Sequence, residues 1–167
     1  MSVSIRRMKK HEDAHQFRKN VNAMVAENAR IHLDAAQTLK QEKEWLTALW
    51  KLVEKDLAKV WIAQDFSRAI GIAEARKGYG REKRNVEIRI GLNREHRGKG
   101  IGKALIQKSI QDAKKWNAKT IWLSVLEGNE TAIALYRKMG FKTIARLPLW
   151  ADVNGKREDK LIMVLQK

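Results

Sequence analysis

Three glycines at alternate positions constrain this chain more than any other feature of its sequence. Gly98, Gly100 and Gly102 separate an alternating apolar stretch, residues 86–92, from an amphipathic stretch, residues 101–116. A period of two predicts a strand and a period of three to four predicts a helix, so the glycines mark a strand–loop–helix junction. Such a loop exposes its backbone N–H groups, and the first N–H groups of a helix have no partner within it. The junction therefore predicts an anion-binding site.

Cations surround these glycines and favour phosphate as the anion. Arg97, Lys99 and Lys103 add charge to the positive end of the helix dipole. A Walker-type loop ending at Lys103 requires glycine at 97 and Ser or Thr at 104, where the chain has arginine and alanine. The dinucleotide pattern starting at Gly98 requires glycine where Lys103 stands. The segment therefore predicts a pyrophosphate site of another kind.

Strand and helix patterns alternate along the rest of the chain. Short β-rich or alternating runs predict strands near residues 3–5, 60–63, 69–73, 86–92, 120–125, 142–146 and 161–165. Helical spacing predicts two or three helices within 12–58 and one each at 101–116 and 129–139. We expect an α/β (α+β) fold, with a mixed central β-sheet of about seven strands flanked by about four helices. Without a linker or repeat, residues 1–167 predict a single domain.

Composition excludes several kinds of site. The chain has no cysteine, which rules out a disulfide, a thiol nucleophile and a thiolate metal site. Its four histidines show no metal-ligand spacing, and we expect no bound metal. Neither the first ten residues nor any later window has the apolar run of a signal peptide or a membrane span. We expect a soluble, cytoplasmic protein with no membrane partner.

A large excess of positive charge is the strongest compositional signal. The chain has 35 Lys and Arg against 19 Asp and Glu, a formal net charge of +16. This charge attracts polyanions, but it does not distinguish nucleic acid, anionic lipid and a phosphorylated cofactor. The basic residues within 76–84 predict a solvated hairpin tip. A nucleic-acid-binding module, or association of an enzyme with nucleic acid or the ribosome, stays open as an alternative without support from a motif.

Two spaced motifs resemble those of a known family. The run RGKGIG at residues 97–102 matches the signature R/Q-x-x-G-x-G/A, and NETAIALYRKMGF at residues 129–141 matches N-x-x-A-x-x-L-Y-x-x-x-G-F. Over residues 58–147 the chain therefore resembles the GNAT superfamily of N-acetyltransferases. The resemblance implies acetyl-CoA as donor and a primary amine, in a small molecule or at a protein N-terminus or lysine, as acceptor. Because no cysteine can carry the acetyl group, we expect direct transfer in a ternary complex.

The resemblance also implies roles for individual residues. It implies that the pantetheine arm pairs with the backbone of Ile90, Gly91 and Leu92, and that the pyrophosphate is held by Arg97, Gly98, Lys99, Gly100, Ile101, Gly102 and Lys103. Asn129 is expected to contact the cofactor, to cap the helix that begins there, or both. Tyr136, two turns further along the same helical face, is expected to protonate the departing CoA thiolate as a general acid.

Acetylation also requires a base, because an alkyl amine is mostly an ammonium ion at neutral pH. Glu87, on the strand that approaches the glycines, is the candidate base, near where several members of the family carry a catalytic glutamate. Its other interpretation is an outward-facing residue of a period-two strand. Glu127, just beyond the next strand, is a second candidate. Relatives that modify protein N-termini carry a glutamate at the position of Ser124, which argues against their mechanism here.

The acceptor is expected to enter between the N-terminal helices and the C-terminal strands. Pro148 predicts a loop, and Leu149 and Trp150 in that loop are candidates for lining the acceptor pocket. The sequence does not select among small amines, polyamines, aminoglycosides, amino acids and protein amines. A homodimer and a catalytically idle relative that senses acyl-CoA both stay open.

Overall fold

The computed structural model describes residues 3–166, which build one seven-stranded sheet flanked by four α-helices. The strands are β1 (Val3–Arg7), β2 (Ala58–Asp65), β3 (Arg68–Lys77), β4 (Asn85–Leu92), β5 (Thr120–Leu126), β6 (Phe141–Val153) and β7 (Lys156–Leu165). The helices are α1 (Ala14–Ala26), α2 (Leu39–Glu54), α3 (Ile101–Lys115) and α4 (Glu130–Lys138). The predicted α/β class with a mixed sheet is confirmed.

The sheet splits at its centre. Its strand order is β1-β2-β3-β4-β5-β7-β6, and neighbouring strands are antiparallel except β4 and β5, which run parallel. The parallel pairing joins residues 85–87 to residues 120–122 and stops there, while β4 remains paired with β3 as far as Leu92. β4 therefore parts from β5 and leaves one edge of residues 88–92 open. Ligands of open α/β sheets bind outside the carboxyl ends of parallel strands, which is where this gap lies.

Different helices cover the two faces of the sheet. On one face Ile106 of α3 packs in a buried cluster with Leu123 of β5 and residues of α4. On the other face Phe17 of α1 and Leu49 of α2 pack against Val60 of β2. Burial alternates along β5 because successive strand residues point to opposite faces and only one of these faces packs in the cluster with α3 and α4.

The N-terminal helical region contains two helices joined by an irregular segment, residues 27–38. α1 ends beside Asn28, which takes the left-handed conformation with φ of 51°. α2 begins with a capping box, in which the Thr38 hydroxyl accepts from the Gln41 N–H and the Gln41 side chain accepts from the Thr38 N–H. The two helices agree with the prediction for residues 12–58, although the sequence has no Gly or Pro to mark the break between them.

The predicted loop at Pro148 is a bulge within a strand. β6 continues through Pro148, but its pairing with β7 shifts between Leu147 and Ala151. Leu149 has a φ of 49°, and its N–H donates to the Asp159 carboxylate at 2.8 Å. Proline removes a ladder donor and is tolerated at a bulge on an edge strand. The prediction of a loop was therefore wrong, because these residues belong to a strand. The regular pairing of that strand with β7 is nevertheless interrupted there.

Candidate active site

A cavity of about 980 Å³ opens where β4 and β5 part. Its walls come from five parts of the chain: residues 87–90 of β4, residues 124–126 of β5, the two α4-region residues Asn129 and Tyr136, Val25 with residues 28–34 at and after the end of α1, and residues 150–155 with Lys160 in the β6–β7 hairpin. The gap in the sheet thus forms the floor of a cleft with the irregular segment on one side and the β6–β7 hairpin on the other.

The three glycines begin α3 next to this cleft. Gly98 and Gly100 have φ values of 74° and 80°, and Gly100 is the N-cap of α3. A Cβ atom added at either position would meet no heavy atom within 4 Å, so the space above both is open. The first N–H that bonds back into the helix is that of Ala104, to the Gly100 carbonyl at 3.0 Å. The preceding N–H groups lack a partner within the helix and can bind an anion.

Gly102 has a different function from the other two glycines. A Cβ added there would lie 3.7 Å from Leu135, 3.8 Å from Ile90 and 3.9 Å from Leu92, which are ordinary van der Waals contacts. The start of α3 therefore rests closely on the end of β4 and on α4. This packing places the glycine turn directly beside the open edge of β4.

Arg97 holds the glycine loop to its surroundings. Its Nε donates to the Leu92 carbonyl at 2.9 Å, and its guanidinium forms a short ion pair with Glu27 at the end of α1. Lys99 and Lys103 are exposed beside the loop. The sequence predicted three cations for the anion, and the structure adds that one of them, Arg97, is paired with a carboxylate.

The end of β4 offers backbone groups on one edge only. Ile90, Gly91 and Leu92 pair with Ala73, Ile72 and Gly71 of β3. Within residues 3–166 the opposite edge of this stretch pairs with no strand, because β5 has diverged. Met24 of α1 packs over Gly91, where an added Cβ would lie 3.3 Å from the methionine Cε. An extended ligand with amide groups can therefore add to the open edge as a further strand.

Asn129 and Tyr136 meet at the cavity, as their spacing on one helical face predicts. The Asn129 Oδ1 accepts from the Ala132 N–H at 3.4 Å and caps α4. Tyr136 is 6% exposed, and its ring packs on Phe141 with 6.0 Å between centroids. Burial raises the pKa of Tyr136 to about 12, so its hydroxyl stays protonated at physiological pH and can donate to a ligand.

Glu87 lines the cavity but is paired with an arginine. The Arg89 guanidinium donates to its carboxylate at 2.7 Å. In the next strand Arg76 donates to the buried Glu74 at 2.6 Å, and the register sets Glu74 opposite Arg89 and Arg76 opposite Glu87. Four alternating charges thus cover this part of the sheet, and the ion pair with Arg89 orients the Glu87 carboxylate on the cavity wall.

His32 is a cavity residue that the sequence analysis did not single out for this site. Desolvation lowers its pKa, and the positive charge of Arg89 lowers it further. A histidine with a lowered pKa is neutral at pH 7 and has a lone pair that can accept a proton. No motif or periodicity marks residues 28–34, so only their position after α1 reveals them.

Only some of the other residues considered in the sequence for the acceptor side line the cavity. Trp150 lines the cavity, and the Lys160 Nζ lies 5.1 Å from the centre of its ring. Ser124 also lines the cavity, whereas Leu149 does not. Glu127 is bound by Arg146 at 2.8 Å and lies outside the cavity lining.

In residues 3–166 no three His, Asp or Glu side chains are close enough to hold a metal ion. No helix in the same range is long and apolar enough to cross a membrane.

Comparisons with known proteins agree with this geometry. A sequence model of the acetyltransferase (GNAT) family matches residues 24–141. The ribosomal protein bS18-alanine N-acetyltransferase of Escherichia coli is 33% identical over 76 residues, which cover 46% of this chain and 51% of that protein. The chain thus spans about half the length of the curated relatives it matches.

Two solved structures share the fold over nearly the whole chain. An N-acetyltransferase from Staphylococcus aureus has a TM-score of 0.86 at 21% identity and covers 99% of both chains. A phosphinothricin acetyltransferase from Sinorhizobium meliloti, solved in complex with acetyl-CoA, has a TM-score of 0.84 at 20% identity over 98% of this chain and 88% of the other.

The split sheet with a glycine-rich helix start beside the gap is an α/β fold shared with these two solved structures. The match to the family model covers well over half of the sequence, and the chain belongs to the acetyltransferase (GNAT) family.

Proposed function

We propose that this protein is an acetyl-CoA-dependent N-acetyltransferase that passes the acetyl group directly to a primary amine in a ternary complex. The observation that carries the proposal is the end of the β4–β5 pairing after Glu87 and Trp122, which opens an edge of β4 beside the glycine loop. An amide-containing arm that ends in a pyrophosphate matches both features at once. Coenzyme A has this construction.

The donor lies along the open edge in this proposal. Its pantetheine amides pair with the backbone of Ile90, Gly91 and Leu92, and its pyrophosphate binds the N–H groups of the loop and of the first turn of α3. The thioester then reaches the cavity floor near Tyr136 and Asn129, which both line it. A free N–H of β4 at that point can polarise the thioester carbonyl. The acetyltransferase solved with acetyl-CoA supports this choice of donor.

Tyr136 acts on the leaving group. Its buried hydroxyl donates a hydrogen bond to the CoA sulfur and supplies a proton as the thiolate departs. A thiol has a pKa of about 8.5, well below that of Tyr136, so transfer of the proton from the phenol to the thiolate is unfavourable by itself. The transfer is completed because the attacking amine nitrogen gains a positive charge and can release a proton. When the C–S bond breaks and the thiolate takes the Tyr136 proton, the positively charged nitrogen of the new amide loses its second proton to the tyrosinate, so the amide and the CoA thiol are formed and Tyr136 is restored.

Glu87 removes the proton from the amine, directly or through water. Its carboxylate stands on the cavity wall at the edge of the β4–β5 gap, and Arg89 fixes its orientation. The neutral imidazole of His32, which also lines the cavity, is a second proton acceptor. The relative that acts on the alanine of a ribosomal protein favours a protein amine, and small amines remain alternatives.

Thermal melting with and without acetyl-CoA tests the proposal, together with release of CoA in the presence of pooled amines. A ligand at 100 times its Kd stabilises by about 2.7 kcal/mol, which raises the melting temperature of a protein of this size by about 5–10 °C. We expect Gly100→Ala to abolish the shift. Gly80→Ala is the matched control, because Gly80 also has a positive φ of 58° and open space around it.

Three results are informative. A melting temperature unchanged by acetyl-CoA, CoA and longer acyl-CoAs contradicts the proposed donor. A shift without CoA release on any amine indicates an acyl-CoA sensor instead of an enzyme. Equal loss of the shift in the Gly100 and Gly80 variants places the effect in general stability and not in the loop.

A further inference from the structure

Much of the positive charge lies at the end of the molecule opposite the glycine loop. We call this surface the basic end and define it as residues 54–59, 77–84 and 114–120, which hold nine Lys and Arg and three Asp and Glu. Backbone contacts join the three segments. The Lys119 N–H donates to the Arg84 carbonyl at 2.8 Å, and the Lys77 N–H donates to the Leu57 carbonyl at 2.9 Å.

The proposed cofactor does not account for this surface. β4 begins at Asn85, directly after the basic end, and reaches the loop only after Leu92. Eight strand residues span about 25 Å, and the 15 residues of α3 span a similar distance. The charge at the far end therefore serves a different partner or none.

Part of this charge is neutralised within the basic end. Asp56 pairs with Lys59 at 2.6 Å and with Lys77 at 2.8 Å, and it accepts from the Trp116 indole at 3.0 Å. Hydrogen bonds from the two lysines lower the pKa of Asp56 to about 2. The remaining seven cations are exposed around this group: Lys55, Arg81, Lys83, Arg84, Lys114, Lys115 and Lys119.

An aromatic ring stands out among these exposed cations. Tyr79 is 92% exposed, the most exposed large hydrophobic side chain in residues 3–166. Its loop is closed by the Gly78 N–H, which donates to the Asn85 carbonyl at 2.8 Å, and by the Glu82 N–H, which donates to the Tyr79 carbonyl at 3.0 Å. A Cβ at Gly78 would lie 2.4 Å from the Glu82 carbonyl oxygen, so glycine is required for this tight turn. The ring is therefore presented on a shaped loop.

We propose that the basic end binds single-stranded nucleic acid, with a base stacked on Tyr79 and phosphates bound by Lys83, Arg84 and Lys119. Exposed aromatic rings among cations are the usual means of holding single strands without sequence preference. An anionic membrane fits less well, because binding to it gains from apolar groups that insert. Apart from Tyr79, the exposed large hydrophobic residue of this surface is Leu57, at 37%.

Fluorescence anisotropy of labelled RNA and DNA strands of about 12 nucleotides tests this proposal, in about 50–300 mM KCl. For three phosphate contacts we expect log K to fall against log [KCl] with a slope near −2. Tyr79→Ala should weaken binding about 5- to 100-fold, and Tyr79→Phe should restore it because the ring remains. The ratio of RNA to DNA affinity identifies the natural class of strand.

The charge contribution is tested with two triple variants. Lys83→Ala/Arg84→Ala/Lys119→Ala should lower affinity at least tenfold and reduce the salt slope by about 2. Lys19→Ala/Lys40→Ala/Lys43→Ala removes the same charge from exposed positions on α1 and α2 and should change affinity less than threefold. The acetyl-CoA melting shift should persist in both, which shows that they are folded and separates this inference from the proposed activity.

Several outcomes overturn the inference. Equal weakening by the two triple variants means that net charge alone attracts the strand. Unchanged affinity of Tyr79→Ala removes the stacking site. Binding to vesicles containing phosphatidylserine, with no binding to either strand, assigns the surface to a membrane.

Discussion

Tyr136 is the residue whose surroundings say most about its chemistry. Its ring is held by Phe141 and the α4 core, while its position on the cavity lining keeps it within reach of a ligand. Burial raises its pKa to about 12, so ionisation of this phenol does not limit the reaction below about pH 11. A buried tyrosine of this kind can donate a hydrogen bond throughout the range in which enzymes are assayed.

We expect Tyr136→Phe to lower kcat by about 10²- to 10⁴-fold, because the leaving thiolate loses its proton donor. The ring and its packing on Phe141 remain, so the Kd for CoA should change little. Steady-state kinetics with isothermal titration of CoA provides the measurement. If kcat is unchanged across the pH range, Tyr136 is not the acid; if CoA binding is lost as well, its role is in the fold of the site.

At the scale of the secondary-structure element, α2 carries an unusual charge on its packed face. Glu42 lies one turn into the helix and is 5% exposed. Burial alone raises the pKa of this carboxyl to about 7 from an ordinary value of 4.5. The folded protein therefore binds the Glu42 proton more tightly than the unfolded chain does.

The sign of the resulting pH dependence is fixed by that difference. Below pH 4.5 the carboxyl is protonated in both states, and as pH rises through 7 the folded state loses about 3 kcal/mol of stability from this group. Glu42→Gln should therefore be more stable than the wild type by up to about 3 kcal/mol near pH 8 and nearly equal to it near pH 4. Urea unfolding at several pH values measures the difference.

A neighbour on the same helix provides the control. Glu44 is exposed, and Glu44→Gln makes the same change of charge without relieving a buried carboxylate. Its effect should be within about 0.5 kcal/mol at every pH. A Glu42→Gln variant that is less stable than the wild type near pH 8 would show that the carboxylate has a stabilising partner in solution.

The whole molecule carries a large excess of positive charge. The net charge is +16, and nine of its basic residues gather in the basic end, far from the proposed cofactor. Like charges at this density repel one another and favour expansion of the chain, and salt screens the repulsion.

We therefore expect the melting temperature to rise between about 10 and 150 mM KCl, by about 2–4 °C for each kcal/mol of repulsion removed. Surface ion pairs weaken with salt and act in the opposite direction, but each contributes little. Differential scanning calorimetry of the ligand-free protein measures the effect. Lys83→Glu/Lys119→Glu should flatten the salt dependence, and a melting temperature that falls with KCl in the wild type would contradict the argument.

The sequence by itself determined the local elements and the class of site. Alternation in residues 86–92 marked β4, the glycines at 98, 100 and 102 marked the start of α3, and the seven-residue spacing of Asn129 and Tyr136 put both on one helical face. These features depend on residues a few positions apart, where backbone geometry and hydrophobic period decide the outcome. The two motifs also revealed the resemblance to the family, because each is a pattern of residues a few positions apart.

Only the tertiary structure decided what faces those elements. Four features depend on contacts between residues that are far apart in the chain. They are the separation of β5 from β4, the ion pair of Arg97 with Glu27, the position of His32 on the cavity wall, and the assembly of the basic end from three segments. No local preference encodes such contacts, because they follow from the order of strands in the sheet and from packing across it. The bulge at Pro148 has the same origin, since its pairing with β7 exists only once the sheet has formed.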